Sequence, residues 1–162
     1  MKKLLLVFGL LFAATLMVRP VLADDVDEYY KLLKTDLRGH AKDIISKGMV
    51  TFTDEEAKRF WPVYDDYLKG VFNFLDARVA LLKAYADDYD AMTDAKANDL
   101  LNRRFEQLKL RRKLDEEYRP KFAQALSPRR LVRFYQIQHE LEVLMELSLV
   151  SQVPKMKWWQ GE

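Results

Sequence analysis

Apolar side chains recur every three or four positions along most of this chain, which is the spacing of one face of an α-helix. The clearest run places Trp61, Tyr64 and Leu68 on one face and continues with Val71 and Leu75. No stretch alternates apolar and polar residues over the length of a strand, and no Asn-Gly or Asp-Gly pair marks a hairpin turn. The sequence therefore predicts an all-α fold.

Capping residues divide this pattern into four helices. The first covers about 26–47 and is predicted to end at Gly48, where a glycine in the left-handed conformation closes a helix at little cost. The other three begin at Thr53, Thr93 and Ser127. The second and third helices are long, and each contains a proline, so we expect both to be bent.

Each helix has an apolar face that the pattern assigns to a core. On the third helix this face is predicted to contain Ala97, Leu101, Phe105 and Leu108. The second helix carries an additional aromatic row, Phe60, Tyr67 and Phe74, which exceeds what contact between two helices requires. Most of the apolar surface of this helix is expected to be core, and we predict that the remainder, with this row as the candidate, forms a dimer seam or an adaptable client surface, because exposed apolar patches usually mark interaction surfaces. Burial in the core is the alternative.

The first 23 residues have the organisation of a secretory signal peptide. Lys2 and Lys3 form a basic start, 4–18 is almost wholly apolar, and 21–23 offers small or modest side chains to a signal peptidase. The apolar stretch is shorter than the roughly 20 residues that a membrane-spanning helix needs. We therefore expect cleavage after Ala23 and export of the mature protein, with an uncleaved N-terminal anchor as the alternative.

The remaining chain suits one domain, which we place at 24–154, followed by a tail at 155–162. Trp158 and Trp159 in the tail either dock on the domain or reach a partner. Cysteine is absent, which excludes disulfides, thiolate nucleophiles and cysteine zinc sites. The five glycines form no phosphate-binding loop, and the common hydrolase motifs are missing. We expect no enzymatic activity and no cofactor.

Charge is distributed in blocks along the mature chain. Residues 24–99 carry 17 acidic and 11 basic side chains, whereas 100–133 carry 11 basic and 4 acidic ones. The basic block either pairs with the acidic block or meets an acidic partner. An exported protein seldom meets nucleic acid, so we expect none here. The candidate partner-binding cations are Arg103, Arg104, Arg111, Arg112 and Lys113.

One group of residues on the fourth helix could bind a metal ion. His139, Glu142 and Glu146 lie three and four residues apart on one side of that helix. Imidazole and carboxylate groups together are ligands for zinc or nickel. A solvated polar face accounts for the same residues without a ligand. We predict no bound metal and keep this trio as the alternative.

Three of the helix starts share a pattern, in which an apolar residue precedes a hydroxyl cap and then polar residues. The positions that carry it are Thr53, Glu56, Thr93, Ser127, Pro128 and Arg130. With the signal peptide and the charged, cysteine-free helical domain, they resemble the Spy and CpxP family, which has L-T-x-x-Q-like helix starts. The stretch 126–130 is the nearest match. The glutamine position instead holds Glu56, Lys96 and Arg130.

The resemblance implies a periplasmic helical hairpin that pairs into a curved dimer and works without ATP. Members of the family hold unfolding clients on a concave face or keep a sensor kinase quiet. We accordingly predict a periplasmic chaperone or envelope-stress modulator, whose partners are unfolded or envelope proteins or a sensor kinase. The alternative is a periplasmic metal-responsive sensor or metal-binding protein, as related members are.

Overall fold

The computed structural model describes residues 23–156, except for the side chains of 23–27, 37 and 38. These residues form four α-helices and one short 3₁₀ turn, and none of them belongs to a strand. The all-α prediction is therefore confirmed. In chain order the elements are α1 (Ala23–Gly48), α2 (Asp54–Asp88), the 3₁₀ turn (Tyr89–Ala91), α3 (Asp94–Ala125) and α4 (Pro128–Val150).

The predicted caps start three of the helices. The Thr53 hydroxyl accepts a hydrogen bond from the Glu56 backbone N–H at 3.2 Å, and the Thr53 backbone N–H donates to the Glu56 carboxylate at 3.0 Å. This reciprocal pair satisfies two backbone donors that the helix leaves free. The Thr93 hydroxyl caps α3 by accepting a hydrogen bond from the Lys96 backbone N–H at 3.3 Å, with no reciprocal bond from the Lys96 side chain. Ser127 precedes α4, but its side chain makes no capping hydrogen bond.

Gly48 ends α1 for a different reason from the predicted one. It keeps a helical conformation, and the left-handed residue is Val50 in the following loop, with φ of 73°. A Cβ atom on Gly48 would lie only 2.6 Å from Ile137 Cδ1 on α4. The glycine therefore allows a close approach of two helices, and the left-handed cap that we predicted is wrong.

The two long helices, α2 and α3, pack side by side in opposite directions. Two contacts define the arrangement: the Tyr118 hydroxyl donates to Asp66 at 2.5 Å, and the Gln107 side chain donates to the Ala77 carbonyl at 2.7 Å. Higher numbers on one helix therefore face lower numbers on the other. The 3₁₀ turn joins them at the tip of this pair. Pro62 lies inside α2 and Pro120 inside α3, as the sequence predicts.

Helix α1 packs along α2, and helix α4 packs along the pair from the end away from the tip toward the tip. Tyr30 and Lys34 of α1 contact Asp76 of α2, and Lys42 contacts Asp65 further along. Helix α4 begins in the aromatic core and runs antiparallel to α3 toward the tip. None of the helices in 23–156 has the length and apolar character required to cross a membrane.

The core contains an aromatic cluster, which lies at the end of the molecule away from the tip, where the helices meet. Phe122 of α3 and Phe134 of α4 have ring centroids 4.5 Å apart, and Phe60 of α2 lies within 5.5 Å of both. Tyr64 and Tyr67 continue the cluster along α2. All five side chains have no exposed surface. Their burial contributes a large share of the apolar driving force available to this cysteine-free chain.

Candidate protein-binding surface

The aromatic row of α2 does not form a binding surface. Phe60 and Tyr67 are completely buried, and Phe74 is half-buried against the core. The prediction that this row meets a partner is wrong for Phe60 and Tyr67, because aromatic residues of α3 and α4 cover them. The alternative, burial in the core, is the one that the structure bears out for these two residues.

The basic block of α3 divides into buried and exposed members. Arg104 and Arg111 point from α3 toward α4 and join an ionic cluster, which consists of Arg78, Arg104, Arg111, Glu142 and Glu146. Arg111 holds the Glu142 carboxylate with two hydrogen bonds, of 3.1 and 3.0 Å. Glu146 accepts hydrogen bonds from Arg78 and Arg104, each at 3.0 Å. The cluster therefore connects three helices midway between the core and the tip.

Arg111 is the most buried cation of this cluster. Its guanidinium also donates to the Tyr67 hydroxyl at 2.9 Å and pairs with Asp115 at 2.6 Å. Burial alone would lower the pKa of Arg111, but the Tyr67 oxygen, Asp115 and Glu142 together raise it above its ordinary value. Arg104 differs, since burial and the neighbouring Arg78 lower its pKa. Both arginines hold the fold together. The prediction that Arg111 binds a partner is wrong because its side chain is buried, whereas Arg104 is only half-buried and its contact with a partner stays a prediction.

The other three predicted cations are exposed. Arg103 and Arg112 pair only weakly with carboxylates one turn away on their own helix, Asp99 at 3.4 Å and Glu116 at 2.9 Å. Lys113 is exposed as well. These three remain available to an acidic partner. Arg104 and Arg111 pair with α4 and with Asp115, whereas Arg130 pairs with Glu56 of the acidic block at 24–99, as the sequence suggested for the whole basic block.

The carboxylates of the candidate metal trio already have partners. Glu142 and Glu146 belong to the ionic cluster, while His139 is exposed and makes no contact with either of them. In the part of the chain from 23 to 156, no group of three histidine, cysteine or acidic side chains is placed to hold a metal ion. The sequence could not reveal this, because the arginines that hold the carboxylates come from other helices.

Two of the three motif positions meet in space. Arg130 pairs with Glu56 at 3.1 Å and donates to the Thr51 carbonyl at 2.7 Å. The shared residues thus tie the start of α4 to the start of α2. The Arg130 guanidinium also lies 5.1 Å from the Phe52 ring centroid. Thr93 lies at the opposite end of the α2–α3 pair, so the three motif sites do not form one site.

The exposed apolar surface lies on α3 and α4 instead. We name it the α3–α4 face, and it consists of Leu101, Phe105, Leu108, Val143, Leu147 and Val150. Leu101 is 53% exposed, Phe105 54% and Leu147 62%. Within each helix the three residues follow at spacings of four and three, so they form two rows. The α3 row lies beside Arg104 and Arg111, and the α4 row lies beside Glu142 and Glu146, the residues that bridge the two helices.

Other exposed apolar residues lie outside these two rows, among them Val132 and Leu144 on α4, Ile44 on α1 and Met156 after α4. Leu32 lies on α1, Val50 lies in the loop after it, and Leu110 lies on the side of α3 opposite Leu101. Single exposed apolar side chains are ordinary features of protein surfaces. Two adjacent rows on neighbouring helices are less ordinary and are the pattern expected of an interaction surface.

A groove of about 450 Å³ extends this face to the tip of the α2–α3 pair. We name it the tip groove. Its walls come from α2, α3 and the chain at the end of α4, and Arg78 and Arg104 of the ionic cluster also line it. The apolar lining residues are Leu81, Leu82, Tyr85, Ala97, Leu100, Leu101, Val150, Val153, Pro154 and Met156.

The sequence placed the α3 row in the core, where the structure leaves it exposed. The reason is that α4 reaches α3 through long arginine and glutamate side chains, which hold the helices apart over this stretch. One signal was available. Leu108, Leu110 and Leu114 cannot share one face of a helix, so α3 has no single apolar stripe to bury.

Comparisons with known proteins identify no family for this chain. No family model matches it, and no curated protein and no solved structure is significantly similar to it. The likeness to the Spy and CpxP family therefore rests on the helix starts, the leader sequence and the charged, cysteine-free helical domain, and it stays a prediction.

Proposed function

We propose that this protein is a non-enzymatic binding protein that holds apolar segments of other proteins on the α3–α4 face and in the tip groove. It would act without ATP, as a chaperone for unfolded clients or as a modulator of an envelope signalling protein. The observation that carries the proposal is the exposure of Leu101, Phe105 and Leu147 on two helices that the Arg104–Glu146 ion pair joins. Covering such residues releases about 25 cal/mol per Å² of apolar area removed from water.

The charges around the surface suit the same role. Arg112 lies four residues beyond Leu108, on the same side of α3, and it is 82% exposed at its side chain. Exposed cations near an apolar surface accelerate encounter with acidic segments without contributing much to affinity. Arg103 and Lys113 add positive charge to the same helix. Clients with acidic residues next to apolar ones are therefore the favoured class.

A light-scattering assay tests the proposal. Chemically denatured lactate dehydrogenase is diluted into buffer with or without an equimolar amount of the protein, and aggregation is followed. We expect the wild-type protein to suppress aggregation and Leu101→Asp to lose most of that suppression. Leu110→Asp is the matched control, because it makes the same change on the opposite side of the same helix, at a residue that is 64% exposed.

Absence of suppression by the wild-type protein would refute the proposal. Equal loss of suppression in Leu101→Asp and Leu110→Asp would refute the assignment of the surface, since it would mean that the acidic charge acts wherever it is placed. Circular dichroism of both variants verifies that they remain helical. Both substituted residues are exposed, so neither change removes a core contact.

We further propose that the protein is exported to the periplasm and forms a dimer there. Support for export comes from the basic, apolar and small-residue order of the leader sequence, which lies outside the described residues apart from Ala23. Support for a dimer comes from the family resemblance. Mass spectrometry of the purified protein tests the first, with Asp24 expected as the first residue, and sedimentation tests the second.

A further inference from the structure

We infer that the tip groove is occupied, when no client is bound, by the segment 157–162 of the same chain, with an indole of Trp158 or Trp159 in the groove. The inference rests on the proposed function only where it adds that the tail competes with clients. Three features of the described residues favour this segment as the occupant of the groove.

The first observation is where the chain leads. After α4, two tyrosine hydroxyls hold the backbone against α2: Tyr85 donates to the Pro154 carbonyl at 2.9 Å, and Tyr89 donates to the Lys155 carbonyl at 3.0 Å. Lys155 and Met156 then line the tip groove themselves. The segment 157–162 therefore starts at the wall of the groove.

The second observation is the short distance along the chain between the groove wall and Trp158. Consecutive residues span at most about 3.6 Å each, so the Trp158 Cα lies within about 7 Å of the Met156 Cα. A ligand tethered this closely has an effective concentration of about 1 mM or more. Even a weak intrinsic affinity is then enough to keep the groove occupied, whereas a free client must compete from micromolar concentrations.

The third observation is the chemistry of the walls. Apolar side chains, mainly leucine and valine with one tyrosine and one methionine, supply most of the lining, and Arg78, Arg104 and Lys155 supply cations. An indole presents a large apolar surface, a face that attracts guanidinium cations and one N–H donor. The groove provides apolar contact and cations together, which is a closer match for tryptophan than for an aliphatic side chain.

Tail docking has a consequence for the proposed function. A client segment and the tail would compete for the same residues, so the protein would bind clients only in the fraction of molecules with a free groove. Apparent affinity falls in proportion to that fraction. The tail would thus set a threshold that only strongly apolar or multiply exposed clients exceed.

Tryptophan fluorescence of the complete protein, without any client, tests docking. The chain contains three tryptophans, so Trp61→Phe leaves only Trp158 and Trp159 as emitters. We expect acrylamide to quench them several-fold less efficiently than in the guanidinium-denatured protein. Adding Leu101→Asp should raise the quenching efficiency toward the denatured value, and adding Leu110→Asp should leave it unchanged. If Trp61→Phe does not fold, subtracting the signal of Trp158→Ser/Trp159→Ser from that of the wild-type protein gives the same quantity.

Three outcomes would overturn the inference. The first is full quenching of the tail tryptophans in the folded protein. The second is protection that Leu101→Asp does not change. The third is protection that disappears on dilution, which would mean that the tail occupies the groove of a second copy.

Client affinity provides the second arm. Fluorescence anisotropy with labelled, carboxymethylated α-lactalbumin should show about tenfold tighter binding for Trp158→Ser/Trp159→Ser if the tail occupies the groove about nine-tenths of the time. Lys157→Ser is the matched tail control and should bind like the wild-type protein. Protected tryptophans without any client binding would support docking and refute the proposed function. Client binding without protected tryptophans would support the proposed function and refute docking of the tail.

Discussion

Arg111 and Arg112 are neighbours in the sequence with opposite environments. The Arg111 side chain is 7% exposed and holds Glu142, Asp115 and the Tyr67 hydroxyl, whereas Arg112 is 82% exposed and pairs only with Glu116. Removing one partner of a buried ionic group leaves the other carboxylate without compensation, which costs far more than breaking a surface pair. The two arginines therefore form a natural matched pair of substitutions.

We expect Arg111→Gln to lower the free energy of unfolding by about 3 kcal/mol, and Arg112→Gln to change it by less than about 0.5 kcal/mol. Denaturation by guanidinium chloride, followed by circular dichroism, measures both. Similar values for the two variants would show that the ionic cluster does not hold α4 against α3. The same variants separate stability from binding, because only Arg112 remains available to an acidic client.

The bond between Tyr118 and Asp66 makes stability depend on acidity. The Tyr118 hydroxyl donates to the Asp66 carboxylate and holds the pKa of that carboxyl below its ordinary value of 3.8, while the same bond raises the pKa of Tyr118 to about 12. The folded protein thus favours ionised Asp66. The stabilisation is present above the ordinary pKa of the carboxyl and is lost as pH falls through its folded value.

We therefore expect Tyr118→Phe to lower Tm at neutral pH and to lower it progressively less as the buffer is acidified below about pH 4. Tyr135→Phe is the control, because the Tyr135 hydroxyl lies against a backbone carbonyl, that of Asp115, which does not titrate. Its effect on Tm should not change over the same range. A Tyr118→Phe effect that is constant with pH would contradict the assignment.

At the scale of the helices, close contact between α1 and α4 depends on a missing side chain. A Cβ on Gly48 would meet Ile137. A Cβ on Gly39, which lies earlier on the same helix, would meet nothing within 4 Å. Both glycines are helical. Alanine has the higher helix propensity by about 1 kcal/mol, so the two positions separate propensity from packing.

Gly39→Ala should raise the free energy of unfolding by up to about 1 kcal/mol. Gly48→Ala should lower it by about 1–2 kcal/mol, because buried Ile137 must shift in a packed core. Thermal unfolding of the two variants measures the difference in sign. Stabilisation by Gly48→Ala would show that α4 does not approach α1 as closely as we describe.

Helix starts were the features that the sequence predicted best. A cap is decided within four residues, so Thr53 with Glu56 could be recognised without knowing the fold. The all-α class followed from spacing for the same reason. Gly48 was misjudged because its function depends on Ile137, a residue 89 positions away, and not on its neighbours in sequence.

The binding surface could not be predicted, because it depends on which helices meet. The aromatic row with Phe60 and Tyr67 is larger than a core of two helices needs, yet a core built from all four helices buries both of these residues and half-buries Phe74. Leu101 and Phe105 have ordinary core spacing, but α4 contacts this stretch of α3 through charged side chains and leaves them exposed. A local pattern cannot distinguish these two outcomes.

For the whole molecule, the structure separates stability from recognition along one axis. The aromatic core lies at one end, the ionic cluster lies in the middle, and the tip groove with the α3–α4 face lies toward the other end. Exposed apolar residues toward the tip, such as Leu101, can therefore be changed without altering the core, whereas Leu82 belongs to both the groove and the core. We propose that this separation lets the molecule present apolar surface while keeping a stable fold.

The central claim is that clients contact the α3–α4 face, and single-cysteine labelling tests it most directly. The chain has no cysteine, so Phe105→Cys and Leu110→Cys each give one site for an environment-sensitive dye, on two sides of α3. We expect carboxymethylated α-lactalbumin to shift the emission of the dye at position 105 to shorter wavelength and to leave the dye at position 110 unchanged. An equal response at both positions, or a response at position 110 alone, would contradict the account.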